Sequence, residues 1–310
     1  MELRPLGFGE IFDRAVTLYI RNFFPFAAIV AVLIVPLAIL QYVLDLSSQP
    51  EFDAMLRILI HPKLASTTPI PSIFNSPLTV VVFAVLLFAT YAVWPFALNA
   101  VAVGVARLYR NRPVEFRACY EIVLRRWLQV VAMIGIDLLI LLCWYTIVFV
   151  VVMIFAGILA YFAFGAGAVF VGVLIGLIGF LILLPSLAPI LVSLTFAMYS
   201  TVIERRPVIE SVGLGFERVF NRAEFWRALL FSLAAFAVMF AGSTIFGFIG
   251  LIAAVAHLPL LQALIESLAR AVITPFAVVL LAIYYFDVRI RREAFDLETS
   301  LERLTAAAPA

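Results

Sequence analysis

A helix needs about 20 predominantly apolar residues to cross a bilayer core of about 30 Å. Six stretches of the chain meet that requirement: residues 23–44, 78–106, 128–156, a fourth within 169–203, a fifth within 225–254 and a sixth within 260–286. The fourth is the longest, about 52 Å if straight. Pro185 and Pro189 are expected to kink it, and Gly165 and Gly167 to loosen its start. Three polar stretches carry a helical period instead. In residues 7–20, Phe8, Phe12, Val16 and Tyr19 share one face, with Glu10, Asp13, Arg14 and Thr17 opposite. In residues 114–126, Phe116, Tyr120, Val123 and Trp127 oppose Arg117, Glu121 and Arg125. In residues 208–221, Val212, Phe216, Val219 and Phe220 oppose Glu210, Glu217, Arg218 and Asn221. Each reads as an amphipathic helix lying in the interface ahead of a span.

Composition makes the solvent explicit. The 310 residues are 65% hydrophobic and 13% charged, against about 45–50% and about 25% in soluble domains. A water-soluble fold of this size cannot hide so much apolar surface. Charge placement then orients the spans, because loops on the cytoplasmic side collect Lys and Arg. All but three of the 21 basic residues fall on one side of the six-span model; the exceptions are Arg57, Lys63 and Arg270. Both termini are therefore expected in the cytoplasm. Splitting the fourth stretch into two spans would break this alternation. Lysine occurs once, a usage associated with high-GC bacteria. No cleavable signal peptide is expected, since Glu2, Glu10 and Asp13 precede the first apolar run. The outer segment 45–77, with Pro50, Pro62, Pro69, Pro71 and Pro77, reads as irregular with one short helix near residues 52–60.

An internal period runs through the even-numbered spans. Pro95, Pro189 and Pro275 are each followed 17 residues later by an arginine: Arg112, Arg206 and Arg292. Two of these continue as Arg-Pro, as the N-terminus does at Arg4-Pro5. Proline suits a helix start, where its missing N–H has no intrahelical partner. The fold expected is an all-α polytopic bundle of six transmembrane helices, arranged as three two-helix repeats with interfacial amphipathic helices. The repeats cover roughly 1–111, 112–205 and 206–292 of a single membrane domain 1–310, with 293–310 a cytoplasmic tail, and the three prolines are the hinges.

The opening Arg4-Pro5-Leu6-Gly7-Phe8-Gly9-Glu10-Ile11-Phe12-Asp13-Arg14-Ala15 and the closing Tyr284-Tyr285-Phe286-Asp287-Val288-Arg289-Ile290-Arg291-Arg292-Glu293-Ala294-Phe295-Asp296-Leu297-Glu298 resemble the two ends of the bacterial glycerophosphoryl diester phosphodiesterase membrane-domain family. Ala294 departs from that pattern, which has glycine there, and the middle of the chain matches only as alternating spans. The family is named for a domain sometimes fused to a soluble phosphodiesterase barrel. The metal-binding His and Glu residues of that barrel have no counterpart in this sequence, so the resemblance carries no activity with it.

Few residues carry candidate chemistry. Asp137 lies about 15 Å into the third span, where an acid costs about 2.5–3.5 kcal/mol on insertion scales; it is either a site or a structural hydrogen-bonder. Arg270 follows Glu266 by four residues, so the two share a helix face and can neutralise each other. Asn99 is a candidate interior hydrogen-bonder. Gly172 and Gly176 match a helix-packing motif. Cys119, Cys143, His61 and His257 lack disulfide or metal spacing, and no catalytic residue, cofactor or metal is expected. Three readings remain: a lipid-associated scaffold or accessory component without catalytic activity, a small-molecule or lipid transporter using a cavity between kinked helices, and an intramembrane enzyme, which only Asp137 supports. The expected partners are membrane lipids, with anionic headgroups at the cytoplasmic face, and no nucleic acid. The expected location is the bacterial plasma membrane.

Overall fold

The computed structural model describes residues 4–60, 77–162, 166–222 and 224–293. Among these residues the only regular structure is helical: α1 (Phe8–Arg21), α2 (Phe23–Ile60), α3 (Pro77–Phe88), α4 (Trp94–Tyr109), α5 (Phe116–Leu124), α6 (Trp127–Phe162), α7 (Ala166–Ile203), α8 (Val208–Val219), α9 (Phe225–Val255) and α10 (Pro259–Glu293). Six stretches are long and apolar enough to cross a membrane, one each in α2, α6, α7, α9 and α10 and one formed by α3 and α4 together. The chain is an all-α bundle with the length pattern of a multi-pass membrane protein. His61, Lys63, Pro62, Pro69 and Pro71, Gly165, and the closing motif from Ala294 onward lie outside the described residues.

Three local differences from the sequence reading have physical causes. The first span does not end at residue 44. It continues as helix through Pro50 to Ile60, so the first part of the expected irregular loop is helical. The polar residues there satisfy themselves along the helix: Gln41 donates to Asp45 at 2.9 Å, and the Ser48 hydroxyl to the Leu44 carbonyl at 2.8 Å. Second, the join between α3 and α4 is a π-turn, Ala89–Val93. Pro95 lies just beyond it and has no N–H for the preceding turn, which widens the helix there. Third, the amphipathic helices are rotated from the faces read off the sequence. In α1 the buried stripe is Ile11, Ala15 and Leu18, with Tyr19, while Phe8 and Val16 are exposed. Apolar exposure is no penalty beside lipid, so hydrophobicity alone does not say which apolar face meets the bundle. Gly172 faces open space, while Gly179 packs against Val152 on α6.

Two compact units form. One comprises Phe12–Ile122 and Phe236–Leu280. In it α1 lies on α10: the Tyr19 hydroxyl donates to the Val272 carbonyl at 2.6 Å, and Phe12 and Tyr19 meet the ring of Phe276 edge-on. Within the same unit α5 lies on α4, where Gly104 leaves room for Cys119, Val114 and Phe26, and the Tyr120 hydroxyl donates to the Ile29 carbonyl of α2 at 2.8 Å. The other unit comprises Met1–Ile11, Val123–Ala235 and Leu281–Ala310. Here α8 lies on α7, so closely at Gly215 that a β-carbon would stand 2.3 Å from the Ser193 carbonyl. In every case an amphipathic helix rests on a proline-bearing span: α5 on the Pro95 span, α8 on the Pro189 span, α1 on the Pro275 span.

The turns between these partners repeat as well. Asn111 and Arg205 both adopt left-handed backbone, at φ 55° and 62°, immediately before Arg112-Pro113 and Arg206-Pro207. At the first, Asn111 donates to the Leu108 carbonyl and Arg112 to the Arg107 carbonyl, closing α4 with a Schellman motif. Within the spans, Asn99 and Ser193 each stand four residues after a proline and donate back to its carbonyl at 2.8 Å.

Candidate functional site

Among the described residues, the last three turns of α10 carry two of the four buried charged residues, Asp287 and Arg289; the others are Arg218 and Glu224. Positions 284, 287 and 291 recur every three to four residues and share one face; 285, 289 and 293 form the next. On the first face, Asp287 is fully buried. Its Oδ1 accepts the backbone N–H of Leu6 at 2.6 Å. Its Oδ2 accepts from Arg227 at 2.9 Å and from Arg291 at 2.8 Å. Both guanidiniums also donate to the Leu6 carbonyl. The two ends of the chain are thereby tied through one carboxylate. Glu224 neutralises the other side of Arg227, and the Tyr284 hydroxyl donates to Glu224 at 3.3 Å. The Tyr284 ring stacks on Phe231 at 4.4 Å, and Phe231 in turn meets Phe8.

The second face meets α7 and α8. Arg218, expected on the outward face of its helix, is 3% exposed. It pairs with Glu204 at 2.8 Å, donates to Glu293 at 2.7 Å and to the Ser200 hydroxyl at 2.6 Å, and lies over the Tyr285 ring. The Tyr285 hydroxyl donates to Glu204, and Arg289 reaches both Glu204 and Glu293. Burial pushes the Glu204 carboxyl up, but the hydrogen bond from Arg218 and the charges of Arg289 and Arg218 outweigh it and hold the group at about 2. Across both faces four carboxylates meet four guanidiniums. Each acid is committed to an arginine, and no group of three or more metal-ligating residues occurs among the described residues. The assembly is a clamp of paired acids and arginines.

The sequence-derived candidates fall elsewhere. Asp137 is partly buried on α6, and its Oδ1 is shut off from solvent without a hydrogen-bond partner. The expected polar neighbour from another span is absent at that oxygen among the described residues. Asn99 is 3% exposed and turned back on its own helix, with its Oδ1 unpartnered. Glu266 and Arg270 are brought together on α10, but loosely, at 3.8 Å. They line a cavity of about 230 Å³ with Ser243, Phe246 and Gly247 of α9 and Thr274 of α10. Pro95, Pro189 and Pro275 lie in or at the start of helices α4, α7 and α10. Cys119 and Cys143 are unbridged, and burial pushes the Cys119 thiol up to about 11, away from nucleophilic use.

Glu204, Arg218, Glu224, Arg227 and Asp287 were missed by sequence reasoning as a group. The signal that bears on them is the pair of end motifs, which contains Leu6, Tyr284, Tyr285 and Asp287 and which spacing alone does not join. Compared with protein-family models, curated proteins and solved structures, the chain matches none.

Proposed function

We propose that this chain is a non-catalytic, lipid-associated scaffold or accessory component of a bacterial plasma membrane, with both termini in the cytoplasm, and that it belongs with the glycerophosphoryl diester phosphodiesterase membrane-domain family. One observation carries the reading. Exposed arginines interleave with exposed large apolar side chains along the amphipathic segments: Ile20 with Arg21, Phe116 with Arg117, Leu124 and Trp127 with Arg125, and Arg222 with Trp226. Such a surface sets apolar groups at the acyl boundary and guanidiniums at headgroup level. Near an anionic leaflet each cation contributes about 1 kcal/mol.

The buried arginines are used up in the clamp, which fits a structural protein better than an enzyme. Lipid co-purification tests the reading. Detergent-purified protein equilibrated with matched-chain phosphatidylglycerol and phosphatidylcholine should retain the anionic lipid preferentially. Replacing Arg21, Arg117 and Arg222 together by Gln should abolish the preference. Equal retention of the two lipids by the unaltered protein would overturn the proposal.

A further inference from the structure

α9 and α10 form a hairpin. Its turn is closed by His257 in left-handed backbone, with Leu258 donating to the Ala253 carbonyl at 2.9 Å. The two helices approach most tightly at Gly242, where a β-carbon would stand 2.3 Å from the Ile273 side chain. Between this approach and the contact of Gly250 with Gln262 and Glu266, a cavity of about 230 Å³ lies between them. Gly247 borders it with nothing within 4 Å of where its side chain would begin. The wall is polar on one side: Ser243, Glu266, Arg270 and Thr274.

The charges on that wall are not satisfied by one another. The Arg270 guanidinium stands 3.8 Å from Glu266, beyond hydrogen-bond length, and no hydrogen bond from it to another described residue is formed. An arginine carries five N–H donors in a planar fork suited to oxyanions. Glu266 accepts only a 3.2 Å bond from Gln262. Asp45 of α2 lies within electrostatic reach of both, and its Oδ2 is closed to solvent and unpartnered. Glu266 beside the guanidinium disfavours a plain anion. About 20 residues, or about 30 Å, counted back along α10 from Asp287 reach Ser267. With Asp287 at the cytoplasmic interface of the proposed topology, Glu266 and Arg270 fall near the opposite headgroup level.

We propose that this cavity binds a zwitterion bearing a primary ammonium and a phosphodiester, as in an ethanolamine phospholipid headgroup. Arg270 takes the phosphodiester, while Glu266 takes the ammonium, whose N–H donors a quaternary amine lacks. The site is independent of the anionic-lipid reading above, because none of its residues belongs to the amphipathic segments.

Native mass spectrometry of the full chain in mild detergent tests it, with equimolar phosphatidylethanolamine, phosphatidylcholine and phosphatidylglycerol of matched chains. The ethanolamine lipid should be retained about tenfold over the choline lipid, the difference one charge-assisted contact makes. Arg270→Gln should weaken retention of both lipids, and Glu266→Gln should remove the preference. Gly247→Leu, which fills the open space without touching a charge, should remove it too and decides the matter if Glu266→Gln does not fold. Soluble glycerophosphoethanolamine identifies the source: displacement of the lipid shows that the headgroup alone is recognised, and its failure shows that the acyl chains contribute. No preference for ethanolamine over choline, or a preference unchanged in a folded Gly247→Leu protein, would overturn the proposal.

Discussion

Arg218 and Arg270 are both arginines facing glutamates in a chain with little charge, and they are held in opposite ways. Arg218 is 3% exposed and meets Glu204, Glu293, Ser200 and Tyr285. Arg270 is 46% exposed and meets Glu266 at 3.8 Å. From α8, Arg218 reaches Ser200 of α7, Glu204 just beyond it, and Tyr285 and Glu293 of α10, so its charge joins three helices. Arg270 has a partner one turn away on its own helix, so its charge joins nothing. A buried pair with partners on neighbouring helices works as a fastener. A loose pair beside an open cavity keeps donors in reserve for a ligand.

The largest expected effect is therefore at Arg218. Arg218→Ala leaves Glu204 buried without its main partner and should cost about 3–5 kcal/mol, read as the midpoint shift in SDS titration of mixed micelles. A shift no larger than that of Arg270→Ala would collapse the contrast.

Acid should sharpen it next. Glu204 is held at about 2, below its ordinary 4.5. A carboxyl with a lowered value adds stability that is fully present above 4.5 and is lost as pH falls from there toward 2. The unaltered protein should lose thermal stability over that window, and Glu204→Gln should flatten the slope. An unchanged slope in Glu204→Gln would assign the acid sensitivity to other carboxylates. The smallest effect belongs to Arg270→Ala, about 0–1 kcal/mol on stability, as for other exposed ion pairs. A loss of several kcal/mol in the same titration would make Arg270 a second fastener.

The spans were legible because long apolar runs have no other soluble use, and the amphipathic helices because their period shows through any rotation. The extension of α2 to Ile60 was hidden by Ser47, Ser48 and Pro50, which look like a loop while their hydroxyls bond within the helix. The buried faces of α1 and α8 were hidden because lipid tolerates apolar side chains as the bundle does. In α8 the side turned inward carries Ser211, Gly215 and Arg218, which in water would mark the outside. Glu266 and Arg270 were visible as an i, i+4 pair, but their spacing says nothing of the cavity beside them. The partners of Asp287 were not visible, because the bond to Leu6 spans 281 positions.

That same span fixes an order of events during synthesis. Leu6 is made 281 residues before Asp287. Until α10 is in place, the Leu6 amide and the Arg227 guanidinium have no carboxylate at Asp287 to hold them, and α7 and α8 lack Tyr285. Without α10 those groups stay open, and α10 acts as the latch.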